Sequence, residues 1–156
     1  MRKKIDFSKA LKNFTFTSNL SYIYNRVKGA NANLNRPMQG QSPYLVNLGL
    51  QYDIEKSGIS STLLFNQIGR RIAYVGNEQV PAIWENPRPL MDFQFAKKLL
   101  KSKGVIKLNV SDILNKKAIF YHDLDESKKY VAGKDALAIE RKYGTTFSIT
   151  FGYNFK

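Results

Sequence analysis

Cysteine is absent from this chain, and histidine occurs once. The first absence removes a disulfide framework, a thiolate metal site and a Cys nucleophile together. The second leaves acid–base chemistry a single imidazole, His122. Long apolar runs are also missing, since none exceeds four residues, Ile72–Val75 being one. A transmembrane helix needs about 20 such residues, whereas a transmembrane strand needs only every second one. Acidic residues are scarce: 12 Asp/Glu against 25 Lys/Arg give a formal charge of +13 over 156 residues. Disorder does not follow, because 43% of residues are apolar and 13% aromatic. The length suits one domain or a piece of a larger one. Met1-Arg-Lys-Lys4 has the basic head of an export signal, but residues 5–12 supply no apolar core. Two expectations stand: a cytoplasmic chain, or one whose true N-terminus lies upstream.

What is present is alternation. Phe147, Ile149, Phe151, Tyr153 and Phe155 interleave with Thr146, Ser148, Thr150, Gly152 and Asn154, which describes a strand over 145–156 with one greasy and one wet face. Residues 14–25 repeat the pattern, with Phe14, Phe16, Leu20, Tyr22 and Tyr24 against Thr15, Thr17, Asn19, Ser21 and Asn25. Residues 44–53 do so through Tyr44, Val46, Leu48, Leu50 and Tyr52. Weaker versions cover 59–66, 90–98 and 105–112. Helical spacing is not found; Ala136-Leu-Ala-Ile139 is read as one helical turn at most.

The connections alternate as strictly as the residues. Residues 55–58 and 99–104 are short, each ending in Gly, and read as turns. Residues 29–43, 68–88 and 116–142 are long. The fold class expected is all-β: an antiparallel up-and-down meander of about six strands, with short turns at one end and long loops at the other. Two architectures accommodate it. A soluble sandwich or barrel, serving as a binding module, turns the greasy face inward. An outer-membrane barrel turns it to lipid and keeps short turns on one side of the membrane and long loops on the other. The polar faces, rich in Thr, Ser, Asn, Gln and Gly, favour a lumen over a soluble surface. So do the aromatics bracketing several strands.

Several strings then resemble a known family. Asn35-Arg-Pro-Met-Gln-Gly-Gln-Ser-Pro-Tyr-Leu-Val-Asn47, Leu64-Phe-Asn-Gln-Ile-Gly-Arg-Arg-Ile72 and Ile83-Trp-Glu-Asn-Pro-Arg-Pro89 resemble loop-to-strand segments of TonB-dependent outer-membrane receptors of the Bacteroidetes type. Leu108-Asn-Val-Ser-Asp-Ile-Leu-Asn115 resembles that family's penultimate strand, and Thr146–Phe155 its C-terminal β-signal, displaced by Lys156. The resemblance implies energised uptake of a bulky nutrient (a metal chelate, oligosaccharide or peptide) through a barrel of about 22 strands holding a plug. These 156 residues carry neither plug nor TonB box. The expectation is therefore a C-terminal portion of a transmembrane β-barrel spanning 1–156, an open curved sheet if isolated. The implied partners are outer-membrane lipid and lipopolysaccharide, the barrel-assembly machinery, and TonB only through a missing N-terminal region.

Candidate sites are few. Phe147, Ile149, Phe151, Tyr153 and Phe155 form a candidate β-signal, read by strand addition. Arg70, Arg71, Tyr74, Trp84 and Tyr121 lie in long loops, where they would contact an anionic or ring-shaped ligand or pack the loops together. The stretch His122–Glu126 is acidic but lacks the glycine and ligand spacing of a Ca²⁺ loop, so no metal or other cofactor is expected. No Ser or Cys elbow accompanies His122, and no enzyme is expected. Asn109, Asp112 and Asn115 read as corner residues bonding turn amides. The basic excess clusters at 1–12 (Arg2, Lys3, Lys4, Lys9, Lys12) and 97–107 (Lys97, Lys98, Lys101, Lys103, Lys107), near the short-turn end, which suits a solvated rim and not a nucleic acid.

Overall fold

A computed structural model describes residues 1–5, 12–28, 35–77 and 79–155. Lys9, Lys156 and part of the 29–43 connection lie outside them. Among the described residues eleven strands run in chain order: β1 Arg2–Ile5, β2 Phe14–Tyr22, β3 Tyr44–Ile54, β4 Ile59–Ile68, β5 Arg71–Tyr74, β6 Ile83–Glu85, β7 Leu90–Leu99, β8 Gly104–Ser111, β9 Ala118–His122, β10 Ala136–Arg141 and β11 Thr146–Tyr153. They form a seven-stranded sheet, β1-β2-β3-β4-β7-β8-β11, and a four-stranded sheet, β10-β9-β6-β5.

The six strands expected from alternation are β2, β3, β4, β7, β8 and β11, paired antiparallel in chain order. Register settles their faces, because directly paired residues share one side of a sheet. Phe16 pairs with Leu50, Leu50 with Leu63, Leu63 with Phe93, Phe93 with Val110 and Val110 with Phe147. An unbroken apolar row therefore crosses all six strands. One residue along, Thr17, Gly49 and Leu64 align, as do Thr62 with Gln94 and Gln94 with Asn109. This second face is mainly hydroxyl and amide, with Leu64 an exception. Neighbours on it bond across strands: Asn66 donates to Asn47, and Asn109 Nδ2 to Ser148 Oγ at 3.2 Å.

No second layer covers the apolar row among the described residues. Phe147, Ile149 and Phe151 are 60–73% exposed, so a sandwich with its greasy face sealed is not what this chain forms. Aromatic pairs mark both margins of the face, Phe14 with Tyr52 near the short turns and Tyr22 with Tyr44 near the long connections. The eight residue steps from Tyr44 to Tyr52 span about 27 Å of strand, or about 20 Å once tilted as barrel strands are. That is close to the height of the apolar band of an outer-membrane barrel.

The two short turns work differently from each other. After a 3₁₀ turn over Glu55–Ser57, Gly58 adopts a left-handed φ of 63°, and a Cβ there would lie 2.8 Å from Lys98 Cβ. At the other turn Gly104 already belongs to β8; Leu100 and Lys101 take the left-handed positions, at φ 52° and 54°. The connection expected over 99–104 is indeed a short turn, with Leu99 and Gly104 already in the flanking strands.

The long connections hold the unexpected strands. β5, β6, β9 and β10 occupy stretches read as loop, and Ala136–Ile139 lies in β10 and not in a helical turn. Their order mirrors that of β4, β7, β8 and β11, so the small sheet is those same four strands continued beyond a break. At the break, Arg88 donates to Asp112 Oδ2 at 2.7 Å and to the Lys116 carbonyl at 3.1 Å. The Asp112 amide donates to Asp92 Oδ1 at 2.8 Å. Asp112 and Asn115 are corner residues with φ of 54° and 45°, but the Asp112 carboxylate accepts from Arg88 and not from a turn amide. Asn109 lies within β8 and bonds across the sheet to Ser148. β1 carries no local signal either: its string Arg-Lys-Lys-Ile has no alternation, and it joins β2 through backbone pairing.

Candidate functional site

The loop-side sheet is built on β6 and β9, whose register sets Trp84 opposite Tyr121. Gly69-Arg70, the two-residue break between β4 and β5, delivers Arg70 to the same place. Its guanidinium sits 3.6 Å from the centre of the Trp84 ring and 5.7 Å from that of Tyr121. One nitrogen bonds Asp123 Oδ2 at 2.5 Å, with both side chains largely buried, 14% and 7% exposed. Stacking on an indole while paired to a carboxylate suits Arg, whose flat, weakly hydrated cation tolerates a dry setting. Tyr130 meets Tyr121 edge to face at 5.4 Å.

Tyr121 and Ile72 have no exposure at all. Burial pushes the Tyr121 phenol above its ordinary value; the Arg70 charge opposes this, and Asp123 and Asp135 add to it. After β9 the chain winds through Glu126 and Lys128, both at left-handed φ, before Asp135 returns it to β10. Asp135 accepts from the amides of Leu124 at 3.0 Å and Val131 at 2.7 Å. The side chain and amide of Ser127 hold Asp125 below the usual carboxylate range.

An open groove of about 1010 Å³ lies between this sheet and the rim of the large one. Tyr22, Tyr24, Tyr44, Trp84 and Tyr130 give it aromatic walls; Arg26, Lys128 and Lys129 give it positive charge. Such a lining suits flat polar ligands, which stack on rings and bond at their edges.

Of the five loop residues expected to meet a ligand, Arg70 and Trp84 line the groove. Tyr121 supports them from beneath and, fully buried, presents no ring to a ligand. Arg71 pairs with Glu85 at 2.6 Å, next in sequence to Trp84 and so on the opposite face of β6. Tyr74 is exposed at the end of β5, away from the groove. His122 is occupied too, its Nδ1 lying 3.0 Å from the Pro81 carbonyl. Asp135 and Tyr130 are not anticipated from the sequence, since only the fold of the loop brings Asp135 to Asp123 and Tyr130 to Tyr121. Four of the β-signal residues, Phe147, Ile149, Phe151 and Tyr153, lie along β11, whose one described partner is β8; Phe155 follows the strand and meets Tyr153 edge to face at 4.8 Å.

A family model described as the outer membrane protein beta-barrel family matches residues 5–153. The chain belongs to that family. The apolar row is thus the lipid-facing wall of an outer-membrane barrel and the hydroxyl-and-amide face its lumen side, while among the described residues the seven-stranded sheet stays open. No curated protein and no solved structure matches the chain.

Proposed function

We propose that this barrel segment belongs to a TonB-dependent transporter, and that it contributes lipid-facing wall, lumen lining and part of an outer ligand vestibule for a bulky nutrient. The observation that carries the reading is a membrane sheet open at β11 combined with folded hairpins enclosing a groove on the long-loop side. Further strands are needed to satisfy that edge in lipid, which suits a wide barrel, and a wide barrel needs an outer surface that selects cargo. The family strings at 35–47, 64–72, 83–89, 108–115 and 146–155 support the same reading. Within it Arg70 and Trp84 form the floor of the vestibule, with Tyr22, Tyr24 and Tyr130 as stacking surfaces. Phe147, Ile149, Phe151, Tyr153 and Phe155 present the edge that the barrel-assembly machinery reads by strand addition.

The test is the DNA immediately upstream of the first codon. An open frame encoding further alternating strands, a plug and a TonB box is the expected result. A frame closed there by a stop, with no such gene joined to it, overturns the transporter reading and leaves the membrane barrel intact.

A further inference from the structure

The β7–β8 turn departs from the wall around it in charge. From Phe93 to Ser111 the chain carries five lysines and no acidic residue. Lys97, Lys101 and Lys103 are exposed, and none of them joins an ion pair among the described residues. Register puts Lys97 on the lipid side, in the row Ile59, Lys97, Ile106, Phe151. One further row on that side, Leu99, Gly104 and Tyr153, precedes the turn. A lysine in an apolar row is costly in hydrocarbon, unless its flexible stem carries the ammonium out to the headgroups. Lys98, next in sequence, belongs to the lumen side.

The backbone of the turn is unusual as well. Leu100 and Lys101 hold left-handed φ of 52° and 54°, a conformation that tight hairpins ordinarily assign to Asn and Gly. Leu100 is also 61% exposed. Its side chain lies over the lipid face: Gly104 stands on that face opposite Tyr153, and a Cβ built there would meet Leu100 Cδ1 at 3.4 Å. The Lys103 amide donates to the Leu100 carbonyl at 3.1 Å, and the Asn154 amide to the Lys103 carbonyl at 2.8 Å, which ties the turn to the end of β11. Strain kept at an exposed apolar residue points to a contact outside the chain.

Short turns of an outer-membrane barrel face the periplasm, so the leaflet at this margin is phospholipid and not lipopolysaccharide. An apolar side chain among the acyl chains with cations at phosphate level is how interfacial anchors hold an anionic surface. A soluble acidic partner would meet the lysines of the turn but not Lys97 and Leu100, which lie on the lipid face. We propose that the β7–β8 turn binds anionic phospholipid of the periplasmic leaflet, with Leu100 inserted among the acyl chains and Lys97, Lys101 and Lys103 on the headgroup phosphate. The site continues the lipid-facing wall and does not depend on the transport reading.

The full chain refolded in dodecylmaltoside micelles, titrated with phosphatidylglycerol or phosphatidylcholine and read by native mass spectrometry, tests this. Phosphatidylglycerol should be retained well ahead of phosphatidylcholine. Lys97→Gln should lower its affinity about five-fold, and Lys97→Gln, Lys101→Gln and Lys103→Gln together ten-fold or more. Lys116→Gln, Lys134→Gln and Lys142→Gln together remove the same charge beside the long connections and should leave affinity unchanged. Leu100→Gly suits the left-handed φ; it should raise the denaturation midpoint while weakening the lipid several-fold, which a purely structural leucine would not do. In chains with intact β circular dichroism, four results would overturn the proposal: equal retention of the two lipids, equal loss in both triple variants, unchanged affinity in Leu100→Gly, or displacement of the lipid by equimolar glycerol 1-phosphate, which would mark a site for a free anion.

Discussion

The small sheet continues four strands of the large one beyond a break, and the two obey different rules. In the large sheet the apolar residues of the lipid face stay half-buried at best, and on β11 Phe147 and Ile149 are 70% or more exposed. In the small one Ile72 and Tyr121 are sealed completely. A strand in a membrane wall hides its greasy side in lipid, so its sequence alternates and it keeps no internal core. A strand standing in water must find protein to cover it, so the small sheet has a core and ion pairs of its own, Arg70 with Asp123 and Arg71 with Glu85. The same polypeptide passes from one regime to the other at the Arg88–Asp112 joint.

The sharpest way to break this contrast is to cut that joint. Arg88→Met leaves the Asp112 carboxylate largely buried, 12% exposed, without its cation; removing one partner of a buried pair costs about 3–5 kcal/mol. Trp84, the single tryptophan, reports the small sheet, and circular dichroism is dominated by the large one. Denaturant curves from the two probes should separate in Arg88→Met, the Trp84 transition moving to lower denaturant. Curves that stay superimposed would show one cooperative unit.

A second comparison sets the two faces against each other. Leu63 lies mid-strand on the lipid side, paired with Leu50 and Phe93, and Thr62 lies beside it on the lumen side. Leu63→Arg should cost about 2–4 kcal/mol in reversible unfolding from lipid vesicles, against about 0–0.5 for Thr62→Arg. Equal costs would mean that the faces are assigned wrongly.

The smallest effect is confined to the small sheet. The Tyr121 phenol titrates above its ordinary value because burial favours its neutral form. Below about pH 10 folded and unfolded states are both protonated, and the contribution is fully present. As pH rises further the unfolded chain ionises first, so stability falls until the folded phenol ionises as well. Tyrosinate absorbance and Trp84 fluorescence followed together should show the small sheet loosening in that range; Tyr121→Phe should abolish this loosening.

The membrane strands were legible because lipid on one side and water on the other impose a period of two, visible in Phe147 to Tyr153 and Tyr44 to Tyr52. The outer strands were not. β5 reads Arg-Ile-Ala-Tyr and β6 Ile-Trp-Glu, each too short to show a period. Composition marked Arg70 and Trp84 as loop residues of interest. Their meeting with Asp123, 53 residues beyond Arg70, depends on the β6–β9 pairing, which no local pattern encodes.

The β5–β6 hairpin closes at Asn77, whose side chain caps the amides of Gln79 and Val80 at 3.0 and 2.8 Å. The break at Gly69-Arg70 and Asn86–Pro89 separates this bend from the registered strands below it. Residues spliced in at Gln79 therefore need not shift a single rung of the wall. An epitope inserted there would be displayed to antibody on intact cells, giving a handle for following assembly without disturbing the barrel.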